Sequence, residues 1–218
     1  MNTFKEQTSA EDQKETGRIE AFSDGVFAVA ITLLVLNIQP PKESFLQDKD
    51  LLGYLGTQLP NYLAFLTSFA TIGVMWVNHH KLFTYIKRSN NTLLLLNLLL
   101  LAIIVFIPFP TALVAEYIVH TDQHTAVVLY GVTFFLMALC FNLLWRYASH
   151  NNRLIDPKAD PQAVRDITAQ YRFGPLIYLV IIVIGFFYAP ASVGAALLLT
   201  IFFAVPGRKK PSALAVKQ

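Results

Sequence analysis

The sequence predicts an all-α integral membrane protein with six transmembrane helices. Hydrophobic residues make up 55% of the 218-residue chain and charged residues only 14%, against about 25% charged in soluble domains. The mean hydropathy is +0.49. The apolar residues gather in runs of about 18 to 20, the length an α-helix needs to cross a bilayer. Barrel strands alternate polar and apolar residues over about 10 positions, and these runs do not.

The spans follow in chain order. Residues 1–20 form a polar segment in which Lys5, Lys14 and Arg18 mix with five acids. The first span covers about 21–38. It reads as a retained helix rather than a signal peptide, because its flank is not simply basic and the "AVA" at 28–30 lies inside the apolar run. The second span, 52–76, contains Pro60, and the third, 92–114, contains Pro108 and Pro110. These prolines predict kinks or early ends. The fourth, 125–146, holds the lone cysteine, Cys140, so no intramolecular disulfide is possible. The fifth, 173–189, and the sixth, 191–206, are separated by a tight turn at "APAS". The spans form one domain, 21–206, and residues 207–218 form a polar tail. The polar stretch 147–172 reads as an exposed linker between two three-helix halves. No internal repeat is present.

Lys and Arg set the orientation. Fifteen of the seventeen lie in the N-terminal segment, the loop 77–91, the stretch 146–172 and the tail. Lys42 and Lys49, in the loop 39–51, are the other two. This asymmetry puts both termini in the cytoplasm. The tail motif "GRKKP" reads first as a positive-inside anchor, ahead of a specific anionic-lipid site.

Several function classes lack their motifs. There is no HExxH, GxSxG, P-loop or GxGxxG, so neither an enzyme nor a cofactor is expected. No nucleic-acid partner is expected either. No "TVGYG" filter and no intramembrane run of arginines occurs. "HTDQH" at 120–124 spaces two histidines at i and i+4 but has no third strong ligand, so no structural metal is expected. Asn97 and Asn142 suit hydrogen bonds between helices.

The first span carries the candidate site. Asp24 stands in its first turns, and an acid in a membrane helix marks a functional position unless neighbouring groups satisfy it. It lies near a helix N-terminus, whose dipole favours an anion, so a structural cap or ion pair competes with direct ion binding. Arg18 is six residues earlier, a spacing that needs a bend or another helix for pairing. Val29, Leu33 and Leu36 form one stripe, and Gly25, Ala28 and Thr32 form a second stripe of small residues that permits close helix approach. The bulky stripe suits ordinary membrane packing or an apolar pore constriction. A second polar group, "MWVNHHKLF" at 75–83, falls where the second span leaves the membrane. His79 and His80 point about 100° apart on a helix and cannot easily share a metal. A network of Arg18, Ser23, Asp24, Trp76, Asn78 and His79 or His80 is geometrically possible, since both helix ends lie at one depth.

"RIEAFSDGVFAVAITLLVL", "WVNHHKLF" and "NLLLLAIIVFIPFPTALV" together resemble the prokaryotic members of the transmembrane protein 175 family, relatives of the lysosomal potassium channel. The R-x-x-x-F-S-D motif is matched by Arg18, Phe22, Ser23 and Asp24. The resemblance is strong over the first three spans. It implies a homotetramer of six-helix subunits in a bacterial inner membrane, with the first helix of each lining a central pore. It also implies that Val29, Leu33 and Leu36 form the apolar constriction and that the Thr32 hydroxyl helps select potassium. Val29 is smaller than the Ile or Leu usual at its position. The motif would be a structural network reaching Trp76 and the histidines. The partners so implied are further copies of the chain, potassium ions in the pore, and membrane lipid.

The expected function is therefore a passive, potassium-preferring cation channel. A proton-coupled secondary transporter using Asp24 and His79 is the alternative; its usual signs, inverted repeats and broken helices at the midplane, are not evident.

Overall fold

The computed structural model describes residues 2–41 and 50–204. Lys42, Lys49 and the tail with its "GRKKP" lie outside the described residues. Helix α1 runs Asn2–Leu33 and tightens into a 3-10 turn, Leu34–Asn37. The polar segment before residue 21 is thus helical and continuous with the first span. After it come α2 (Leu51–Thr57), α3 (Leu59–Tyr85), α4 (Asn91–Phe106), α5 (Pro108–Tyr117), α6 (Gln123–Ser149), α7 (Pro161–Phe187) and α8 (Ala189–Ala204).

Local chemistry sets these boundaries. Asp50, Asn90 and Asp160 each accept a hydrogen bond from a first-turn backbone N–H of α2, α4 and α7, satisfying donors that helix starts leave unpaired. Pro60 sits in the first turn of α3, where a missing N–H costs nothing. It starts the helix rather than kinking it. The second span therefore shifts from the expected 52–76 to Leu59–Tyr85, and "WVNHHKLF" lies within its last turns, not beyond its end. The third span breaks at Ile107 and restarts at Pro108, as its two prolines predict.

Among the described residues, five segments are long and apolar enough to cross a membrane: Thr16–Asn37, Leu59–Tyr85, Asn91–Tyr117, Gln123–Asn152 and Pro161–Phe187. Helix α8 is apolar, and its described residues number 16, about 24 Å at 1.5 Å per residue, against a hydrocarbon core of roughly 30 Å.

Helix α6 is the centre of the subunit: 61% of its apolar window is buried, against 28–33% for the other four spans. It packs along α7, where small residues let the backbones approach. A Cβ on Gly131 would stand 2.8 Å from Ile182 Cγ1, and one on Gly185 3.1 Å from Val127. Phe134 and Phe141 stack on Tyr178 and Tyr171. Helix α6 also packs against α4 and α5 of the first half, so the two expected halves are one packed body.

The stretch 147–172 also departs from the expected exposed linker. Residues 161–172 already belong to α7. Leu154 and Ile155 are buried, and Ile155 forms a β-bridge with Ile86 of the α3–α4 connection. Lys87 N–H donates to Leu154 O (3.0 Å), and Asp156 N–H donates to Tyr85 O (2.9 Å). Two apolar side chains drive the segment inward, and the backbone bonds fasten it. Two of the basic connections thus meet at one end of the bundle.

Candidate pore face and motif network

Helix α1 presents two faces. Ile19, Ser23, Phe27, Ala30 and Leu34, spaced by three or four residues, are buried against α3 and α4. On the opposite face Phe22, Val29 and Leu36 are 58%, 53% and 64% exposed, and Leu33 is 37% exposed. Arg18, Gly25, Ala28 and Thr32 share that uncovered face. The small stripe expected to pack tightly is uncovered within the subunit: a Cβ on Gly25 would meet nothing within 4 Å. Its role inside the subunit is taken by Ser23, Phe27 and Ala30. The Thr32 hydroxyl lies 3.0 Å from Ala28 O and 2.9 Å from Val29 O. Its proton is committed to the helix, and the oxygen lone pairs remain available on the open face.

The motif's polar side chains divide into separate sets rather than one network. In the core, Ser23 Oγ donates to Ile19 O (2.8 Å), Asn97 Nδ2 donates to Ser23 Oγ (3.0 Å), and Asn97 Oδ1 lies 2.9 Å from His79 Nε2. An amide oxygen only accepts, so Nε2 carries the imidazole proton. His79 Nδ1 is then buried without a partner, and the ring packs between Phe27 and Phe83. Nearer the surface, Trp76 Nε1 donates to Asp24 Oδ1 at 2.8 Å, and His80 Nδ1 pairs with Glu20. Trp76 stacks on His80, which joins these two pairs into one patch.

Arg18 and Phe22 stand on the uncovered face, apart from both sets. Asn78 is buried and joins neither. Sequence reasoning gave Glu20 no role; it expected Asn97 to hydrogen-bond between helices but did not place it in the motif's polar set. The signal for Asn97 was present: one amide in the run "LLLLNLLLL" must find partners in a membrane interior. His124 Nδ1 lies 2.8 Å from Gly185 O, and among the described residues no cluster of three His, Cys, Asp or Glu is placed to hold a metal.

The described residues thus form an all-helical bundle with helices long and apolar enough to cross a membrane, in which one face of α1 mixes exposed apolar and small residues. Residues 18–108 match the family described as the endosomal/lysosomal potassium channel TMEM175. A potassium channel of Chamaesiphon minutus is 49% identical over 196 residues, covering 90% of this chain and 97% of that protein. A potassium channel of Streptomyces collinus is 41% identical over 191 residues, covering 87% and 91%. The crystal structure of a lysosomal potassium-selective channel TMEM175 homolog from Chamaesiphon minutus superposes with a TM-score of 0.81 at 47% identity, covering 88% of this chain and 97% of that one. The chain belongs to the TMEM175 family, a family of ion channels and not of enzymes.

Proposed function

We propose that four copies of this chain form a potassium-preferring channel in a bacterial inner membrane, with α1 of each copy lining a shared axial pore. Each subunit would cross the membrane six times, α8 last, with both termini cytoplasmic. The observation that carries this reading is the uncovered face of α1. Lipid-facing surfaces on this protein are bulky: α7 exposes Leu176, Leu179, Val180, Val183, Phe186 and Phe187. The open face of α1 instead carries Gly25, Ala28 and Thr32 between its larger residues, and small residues mark helix faces that meet other helices. Two relatives named as potassium channels, each matched over most of its length, support the permeant ion.

Rings of Val29, Leu33 and Leu36 would make an apolar constriction that dewets when narrow and charges ions a dehydration cost when open. Thr32 oxygens would sit beside those rings and offset part of that cost. Asp24 and His79 are hydrogen-bonded to Trp76 and Asn97 rather than to each other, so no contact favours a proton-coupled carrier built on that pair.

The test is purified protein in a planar bilayer, with potassium on one side and sodium on the other. A steady current reversing toward the potassium potential is expected. Reversal near zero would overturn the potassium preference, and proton-linked uptake without current would overturn the channel.

A further inference from the structure

At the basic end of the molecule, away from α1, a cleft of about 370 Å³ lies between the last turn of α6 and the first half of α7. Its walls include Ser149 of α6 and Val164, Arg165, Thr168, Arg172 and Phe173 of α7. We propose that this cleft binds the phosphate headgroup of an anionic phospholipid, held between Arg165 and Arg172.

The cleft's charge is of one sign. The two arginines are seven residues apart, two turns along one face of α7 and about 10 Å along its axis, and both line the cleft. Arg165 Nη2 donates to Gln162 Oε1 at 2.7 Å, which positions the guanidinium, and Arg172 Cζ stands 6.0 Å from the centre of the Phe173 ring. Among the described residues no carboxylate lines the cleft. The neighbouring Asp166 accepts instead from Gln162 Nε2 at 2.9 Å. Thr168 Oγ1 donates to Val164 O and accepts from Trp145 Nε1, so the arginines, with Ser149, supply the donors for an anion. Planar guanidinium groups suit phosphate oxygens.

The position along α7 favours a lipid over a soluble anion. The helix has 27 residues, about 40 Å, and the hydrocarbon core is about 30 Å thick. Its first turns therefore stand at headgroup level. Below Arg172 the same exposed face turns bulky and apolar through Leu176, Leu179, Val183 and Phe187. A phosphate held by the arginines would have its acyl chains lying along that surface.

The full-length protein would be examined by native mass spectrometry with phosphatidylglycerol and phosphatidylcholine at equal mole fraction. The expected result is a preference of at least about tenfold for phosphatidylglycerol, at about one lipid per subunit, from two cations at the membrane surface. Arg165→Gln with Arg172→Gln should cut that preference to about twofold or less. Ala169→Glu, which puts a carboxylate on an exposed wall of the cleft, should do the same and carries the test if the double variant fails to fold. Lys81→Gln with Lys87→Gln removes equal charge at the same end, outside the cleft, and should leave the preference intact. An unchanged preference in the cleft variants, or an equal loss in the lysine pair, would overturn the site. Displacement of the lipid by millimolar inorganic phosphate would overturn the lipid assignment in favour of a free-anion site.

Discussion

Asn97 uses both halves of its amide, donating to Ser23 and accepting from His79, and so ties three helices together in the buried core. Replacing it with Ala removes two hydrogen bonds and leaves the His79 ring with both nitrogens unpaired. Such bonds within membranes contribute about 0.6 to 1.7 kcal/mol each. Asn97→Ala should therefore destabilise the purified protein by about 1–2 kcal/mol, read as a lower midpoint of thermal unfolding; an unchanged midpoint would remove the structural role. Asp24→Asn keeps an acceptor for Trp76, and the pair is partly exposed, so the loss should stay at or below about 1 kcal/mol. Its reversal potential should match the wild type, because an acid turned toward Trp76 is not a filter. A shifted reversal potential with normal assembly would make Asp24 an ion ligand. The sequence makes Asp24, Trp76 and His79 conspicuous, as polar groups among apolar ones. It does not reveal that Asp24 and His79 belong to different sets, because pairing depends on how three helices are rotated about their axes.

At the scale of the element, period-3.6 patterning finds the stripes of α1 but not which neighbour covers each. The small stripe Gly25–Ala28–Thr32 looks like the intrasubunit contact until the structure puts Ile19, Ser23 and Phe27 there. Gly25→Leu separates the two assignments. Space is open around Gly25 within the subunit, so the fold should survive with its helicity intact. The oligomer should dissociate on size-exclusion chromatography. An intact oligomer would mean that Gly25 faces lipid or open pore. The connection before α7 teaches a different lesson. Averaging composition over 147–172 hides Leu154 and Ile155, and it also hides the Asp160–Pro161 pair, an N-cap followed by proline that marks a helix start. Ile155 is 1% exposed, so Ile155→Ala should cost about 2–4 kcal/mol, measured by the same thermal midpoint. A loss near zero would return the segment to the status of a loose linker.

At the scale of the whole molecule, membrane class and channel family are legible from hydropathy and a handful of motif residues. The proposed shared pore is not legible from composition and periodicity, because in that reading one chain supplies only one wall of it. The core of the described residues gathers around α6, yet α1 keeps a face that no other described residue covers. A pore built from that face must mix the properties of the subunits around it, and closed rotational symmetry gives each an equal position. Val29→Asn tests this. A polar side chain in an apolar ring lowers the dewetting barrier, so channels made only of the variant should conduct several-fold more than wild type and discriminate less between potassium and sodium. Co-expressed with wild type, a shared tetrameric pore should yield intermediate single-channel levels, as compositions from zero to four variant subunits form. Only two levels, wild-type and variant, would mean that each subunit conducts alone, and the axial pore would fall with that result even if potassium currents remained. A single intermediate level would fit a dimer, leaving the shared pore but not the four-fold assembly.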